Sequence, residues 1–355
     1  MANSTAKPTP SKMAVPQDLQ DMFHKYSMVE IIEAYQEHNN TASTVSKRLS
    51  LFPITDTRTF ELALSQLANF WMPSEASYNN DRVSLPQLSE EERRLLLLTL
   101  AIFSFQDGDI IESTLLSTIM EASSLEEKFF GIIKAWIEAI HAWAYSELID
   151  KLVVNPEQRQ ELQQAVESMK FLRAKQELNQ KYKSNKYTRE ERSAVTAILE
   201  GVGFAVLFAI IFSLKERPVP LNFDGLFFNN HKIAEDEFLH RTKEVEWLKK
   251  RIAEGMLSHK RFLEILLEFV RVEEMCVDEL LPTQTSVMNN QSLKEYLYYT
   301  ADRLLSDLGF PVHWGVENPL PFMDKIGLTG QTNFFERKVT EYSQTVTAVE
   351  DTDDW

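Results

Sequence analysis

Two short stretches carry residues whose types and spacing can do chemistry: "IEAIH", with Glu138 and His141, and "DEFLH", with Glu237 and His240. At i, i+3 on a helix, a carboxylate and an imidazole lie on one side and can converge on a single cation. Seven histidines and 53 acidic residues among 355 make about one acid-x-x-His pair expected by chance. Three occur, and Asp21/His24, in an amphipathic segment, is the natural candidate for the accidental one.

Two further acids stand in unusual company. Asp107 and Glu200 are embedded in the most apolar stretches of the chain, where an ionised carboxylate needs a cation or a hydrogen-bonding partner. The nearest basic residues, Arg94 and Lys215, sit at the ends of those stretches, so a basic partner would have to come from elsewhere in the fold. In chain order the pattern is acid, Glu/His pair, acid, Glu/His pair, one from each of four helices. Inward-pointing sets of this kind build the di-iron and di-manganese sites of helical bundles. Oxygen and imidazole donors without a thiolate suit iron or manganese. Tyr145 stands one turn beyond His141 on the same face. A lone helical tyrosine is ordinarily a core aromatic with a satisfied hydroxyl, so Tyr145 gains interest only from its neighbours.

The elements that must position these residues read as helices. Only 10 glycines and 13 prolines, with 44% hydrophobic residues, leave little turn chemistry for a sheet and enough apolar mass for a large core. The expected fold is all-α. Ser89 with Glu92 has the form of a capping box opening a helix that runs past Asp107 to about Ile119. The "IEAIHAWAY" helix reaches to about Leu152, and Asn155-Pro156 starts another. "KERPVPLNFDGLFFNNHK" is expected to break helix, with resumption at "IAEDEFLH". Further helices are expected near 17–38, 58–70, 259–281 and 291–308.

"AVTAILEGVGFAVLFAIIFSL", Ala194 to Leu214, is apolar all round and long enough to cross a bilayer. Glu200 inside it would cost roughly 2.5–3.5 kcal/mol in lipid. No second such segment exists, so a buried bundle helix is expected and no membrane. The net charge of −16 repels phosphate backbones and argues against nucleic acid as a partner. The single cysteine, Cys276, fits a reducing compartment, and the N-terminus shows no apolar signal region, so a cytoplasmic location is expected. Residues 1–20 read as a flexible segment, 21–342 as the helical domain and 343–355 as a flexible acidic tail.

The quoted motifs, with "NFWMPSE", "ILEGVGFAVLFA" and the late "ADRLL", "NPLPFMD", "NFFE" and "EY", resemble the radical-generating small subunit of class I ribonucleotide reductase across roughly residues 65–345. That resemblance implies a ferritin-like helical bundle with additional helices and an O₂-reactive pair of metal ions, iron first and manganese as the alternative. By position it gives Asp107, Glu138 and His141 at one metal and Glu200, Glu237 and His240 at the other. Tyr145 matches the site of the stable tyrosyl radical, with Phe204, Phe208 and Ile233 around it. Trp71 and Asp236 match a hydrogen-bonded relay to His141, and Tyr342 the tail residue that hands the radical to the large subunit. The tail "VEDTDDW", with Asp351, Asp353, Asp354 and Trp355, resembles the peptide that docks on that subunit. Oxygen or a derived oxidant, a homodimer, and reduction of ribonucleotides by the large subunit complete what the resemblance implies.

The chain departs from the family pattern at Ala142, where serine is frequent, and at Glu235, where arginine is frequent. Trp136 and Trp143 flank the first Glu/His pair as rival electron donors. A stand-alone ferritin-like di-metal oxidase or monooxygenase is the alternative reading. Asp107 in place of a glutamate, Tyr145 and the tail speak against it.

Overall fold

The computed structural model describes residues 50–325 except 185, 282 and 283, and side chains there except at 107–117 and 325. The expected helix at 17–38, Tyr342, and tail residues Asp351, Asp353, Asp354 and Trp355 lie outside the described residues, as does the side chain of Asp107.

Among the described residues the regular elements are helical. They are α1 (Thr57–Ala68), α2 (Asn79–Ser84), α3 (Glu90–Thr114), α4 (Leu125–Leu152), α5 (Pro156–Glu167) and α6 (Lys170–Lys183). They continue with α7 (Arg189–Ile198), α8 (Ala205–Ser213), α9 (Asp224–Ala253), α10 (His259–Leu280) and α11 (Asn290–Asp307). Wide π turns at Leu115–Met120 and Leu199–Gly203 follow α3 and α7.

Local chemistry starts the helices where the sequence says it should. Ser89 and Glu92 exchange backbone-to-side-chain bonds of 3.2 Å each, and three glutamates occupy the first turn of α3, where the helix dipole favours negative charge. Asn155 accepts from the Glu157 N–H ahead of α5, whose first residue is Pro156.

One boundary differs from the sequence expectation. α9 begins at Asp224, not at Ile233, so "GLFFNNHK" is helical. The Asp81 carboxylate, supplied from α2, accepts from the N–H groups of Gly225 and Leu226 at 3.0 and 2.7 Å. It thereby caps the helix from far along the chain, which no local pattern reveals. Gly225 is required there, because a Cβ would fall 2.5 Å from the Tyr78 ring.

α3 packs along α4, α9 lies against α7, and α6 and α11 pack on α10. All nine residues of α8 are buried. Along the helical run Arg189–Glu216, 94% of the most apolar stretch is covered by protein, so its hydrophobicity is spent on the bundle interior. Phe103, Phe204, Phe208 and Phe212 interlock in that interior with ring centroids 5.0–6.5 Å apart. Each such ring buried contributes about 1.5–3 kcal/mol. Cys276 is buried in α10.

Candidate metal centre

α4 and α9 each turn one long face inward. On α4 that face carries Lys134, Glu138, His141 and Tyr145, and on α9 it carries Asn230, Ile233, Glu237 and His240, all buried. Glu200 is presented by the π turn between α7 and α8, whose extra residue per turn redirects side chains locally.

Glu138, Glu200, Glu237 and His240 each bring a ligand-type atom to within 4.8 Å of one another. His141 closes the cluster from one side, its Nδ1 3.1 Å from Glu237 Oε1 and 3.3 Å from Glu138 Oε2. His240 Nδ1 lies 3.1 Å from Glu138 Oε1 and 3.7 Å from Glu237 Oε2. The glutamates of both pairs therefore face both imidazoles.

These groups fit a metal. Apart from these contacts with one another, both oxygens of Glu138, Glu200 Oε2, Glu237 Oε2, His141 Nδ1 and both ring nitrogens of His240 have no hydrogen-bond partner among the described residues, although they are buried. Buried polar atoms in that state are costly unless something coordinates them. The electrostatics agree. Burial opposes charge on His141, but Asp236, Glu138 and Glu237 hold its pKa well above the usual imidazole range. Burial opposes charge on His240 as well, yet Glu138 and Glu237 raise it to about 9. Burial, aided by the carboxylates of Glu237 and Glu138, pushes Glu200 up to about 8 against the pull of Lys134. A cluster that draws protons onto its imidazoles is short of positive charge, and divalent ions held by oxygen and imidazole donors would supply it.

The partner for Glu200 that the sequence leaves open is Lys134. Its ammonium is wholly buried and forms an ion pair with Glu200 Oε1. The available signal is its place one turn before Glu138 on an apolar face. A pocket of about 40 Å³ opens beside Glu200 between Arg241, Tyr296, Tyr299 and Arg303.

Asp236 is the hub behind the cluster. Its Oδ2 accepts from Trp71 Nε1 at 2.8 Å and faces His141 Nε2 at 3.2 Å. Its Oδ1 accepts from Gln66 at 2.6 Å and Asn69 at 3.1 Å. A carboxylate on the far nitrogen of a ligand-type imidazole fixes its orientation and raises its basicity.

Tyr145 is fully buried and donates to Asn230 Oδ1 at 3.0 Å. Phe103 stacks on it with centroids 4.6 Å apart and rings 3° from parallel. Phe204 and Phe208 pack against Phe103, and Ile233 is buried one turn before Glu237. Phe103 and Asn230 are not singled out by the sequence, though each shares a helical face with a chosen residue: Phe103 precedes Asp107 by four, and Asn230 precedes Glu237 by seven. Trp136 and Trp143 turn away from the cluster and are 47% and 46% exposed, and Trp136 stacks on Phe70.

A helical bundle that gathers three glutamates and two histidines at one buried point has the ferritin-like fold and a donor set that could hold a metal ion. The chain belongs to the ribonucleotide reductase small-chain family, whose model matches residues 48–319. It serves, with a large subunit, the oxidoreductase ribonucleoside-diphosphate reductase. The human "Ribonucleoside-diphosphate reductase subunit M2" is 33% identical over 299 residues, 84% of this chain and 76% of that protein. The small chain of Trypanosoma brucei brucei is 32% identical over 297 residues, 84% of this chain and 87% of that one. Among solved structures, the dimanganese(II)-NrdF of Streptococcus sanguinis has TM-score 0.69 at 18% identity, over 80% of this chain and 99% of that one. The Rnr4 homodimer of Saccharomyces cerevisiae has TM-score 0.69 at 20% identity, over 92% and 99%. At these identities the two structures speak for the fold.

Proposed function

We propose that Asp107, Glu138, His141, Glu200, Glu237 and His240 hold two metal ions, iron first and manganese as the alternative, and that Tyr145 stores the oxidising equivalent as a radical. When bound, the metal pair supplies a strong oxidant by reacting with dioxygen or an oxidant derived from it. Tyr145 would pass one electron and its phenolic proton to that oxidant. Asn230 holds the hydroxyl, and the rings of Phe103, Phe204 and Phe208, with Ile233, keep water and reductants away. Trp71 and Asp236, hydrogen-bonded in line behind His141, carry the radical away from the cluster, and Tyr342 hands it on. The acidic tail, with Asp351, Asp353, Asp354 and Trp355, docks on the large subunit, which reduces ribonucleotides in the cytoplasm.

A homodimer suits the outer side of α4. Ile132, Trp136, Ala139 and Trp143 form an exposed stripe at helical spacing, extended by Phe70 against Trp136.

The observation that carries the reading is Tyr145 one turn beyond His141, on the helix face that also brings Glu138 to a buried cluster in which several carboxylate oxygens and ring nitrogens have no hydrogen-bond partner outside the cluster among the described residues. Iron(II)-loaded, aerated protein is expected to give a sharp tyrosyl absorption and paramagnetic signal. Tyr145→Phe is expected to abolish it with bound metal unchanged; the same signal persisting in that variant would sink the assignment.

A further inference from the structure

The six groups assigned to the metals leave Lys134 unexplained. A buried lysine in a helical core is costly unless paired, and this one is spent on a carboxylate that also belongs to the cluster. Its ammonium occupies Glu200 Oε1, while Glu200 Oε2 has no hydrogen-bond partner among the described residues. The negative charges of Glu138 and Glu244 add to that of Glu200 in favouring the charged ammonium. Glu244, one turn beyond His240 on α9, is itself buried, bonded to Ser193 and 3.1 Å from Lys243 Nζ. The lysine is thus paired with Glu200 inside the cluster, whereas Glu244 is held by Ser193 and Lys243.

We infer that Lys134 is an internal cation that makes the two metal positions unequal. It holds Glu200 through one oxygen and sets a like charge beside any ion bound there, so that position fills second and more weakly. The position farther from Lys134, served by His141, fills first. The inference rests on the two-metal reading above and adds to it an order of loading set by a residue that is not a ligand.

The test is an anaerobic titration of the full chain with manganese(II), following the paramagnetic signal of the free ion. The wild-type protein is expected to bind two ions with dissociation constants at least tenfold apart. Lys134→Gln is expected to tighten the second by tenfold or more and leave the first within threefold. Lys134→Arg, which keeps the charge, is expected to keep the gap. Lys134→Met, which also removes the charge at similar length, is expected to narrow the gap in the same way, and it provides a readout if Lys134→Gln does not fold. A wild-type gap in Lys134→Gln or in Lys134→Met overturns the inference. Failure of the wild-type chain to bind two ions overturns the two-metal reading instead.

Discussion

Trp71 and His141 meet on one oxygen of Asp236, the indole N–H at 2.8 Å and the imidazole Nε2 at 3.2 Å, with the two rings 25° from parallel. Three residues from separate parts of the chain thereby form one continuous polar path beneath the cluster. Asp236→Ala breaks it at its centre. The expected result is a loss of roughly 10–100-fold in turnover with the large subunit. Trp71→Phe is expected to lose turnover while the Tyr145 signal survives. Full turnover in both variants would remove this path from the mechanism.

Phe103 stacks on Tyr145 and touches Phe204 and Phe208, so it joins the tyrosine to the apolar interior. Phe103→Ala is expected to cost about 3–5 kcal/mol of stability and to admit water to the phenol. Decay of the tyrosyl signal should quicken while its initial yield per metal holds. Unchanged decay would show that other groups shield the ring.

Trp136 lies on the exposed stripe of α4. Trp136→Glu puts a charge in the middle of that face and is expected to shift sedimentation from dimer to monomer at micromolar concentration, with metal content preserved. A dimer that persists would place the interface elsewhere.

Glu127 anchors the start of α4. Burial opposes its charge, but Lys243 and Arg189, with the N–H and hydroxyl of Ser123, hold its pKa below the usual carboxylate value. A carboxylate depressed on folding stabilises the protein above its unfolded pKa, and the contribution is lost as pH falls through the lower folded value. Glu127→Gln is therefore expected to lower the melting temperature at pH 7. The difference from wild type should shrink as pH drops below about 4.5. A difference that stays constant with pH would mean the loss is one of packing.

How much of this is legible in the sequence depends on the range of the contacts involved. Glu138/His141 and Glu237/His240 announce themselves because i, i+3 spacing is local, and the Ser89 and Asn155 caps are local too. Glu200 is conspicuous for standing in an apolar run. Its partner Lys134 is 66 residues away, and only packing of α4 against the Leu199–Gly203 turn joins them. The start of α9 falls earlier than its sequence suggests for the same reason, since the Asp81 cap acts across 144 residues. Phe103 and Asn230 are hidden by ordinariness: a phenylalanine in an apolar helix and an asparagine in a loop-like stretch acquire meaning only from the phenol between them.

The wide turn at Leu199–Gly203 also constrains what this chain can tolerate. Each residue advances a helix by about 100°, so deleting one residue there would restore regular winding but swing α7 against α8 by that amount. Either Glu200 would leave the cluster or the fully buried α8 would turn its apolar sides out of phase with their neighbours. Length changes in this stretch should thus be far less forgiving than substitutions, and the bulge acts as a phase-setting insertion between two faces that must both look inward.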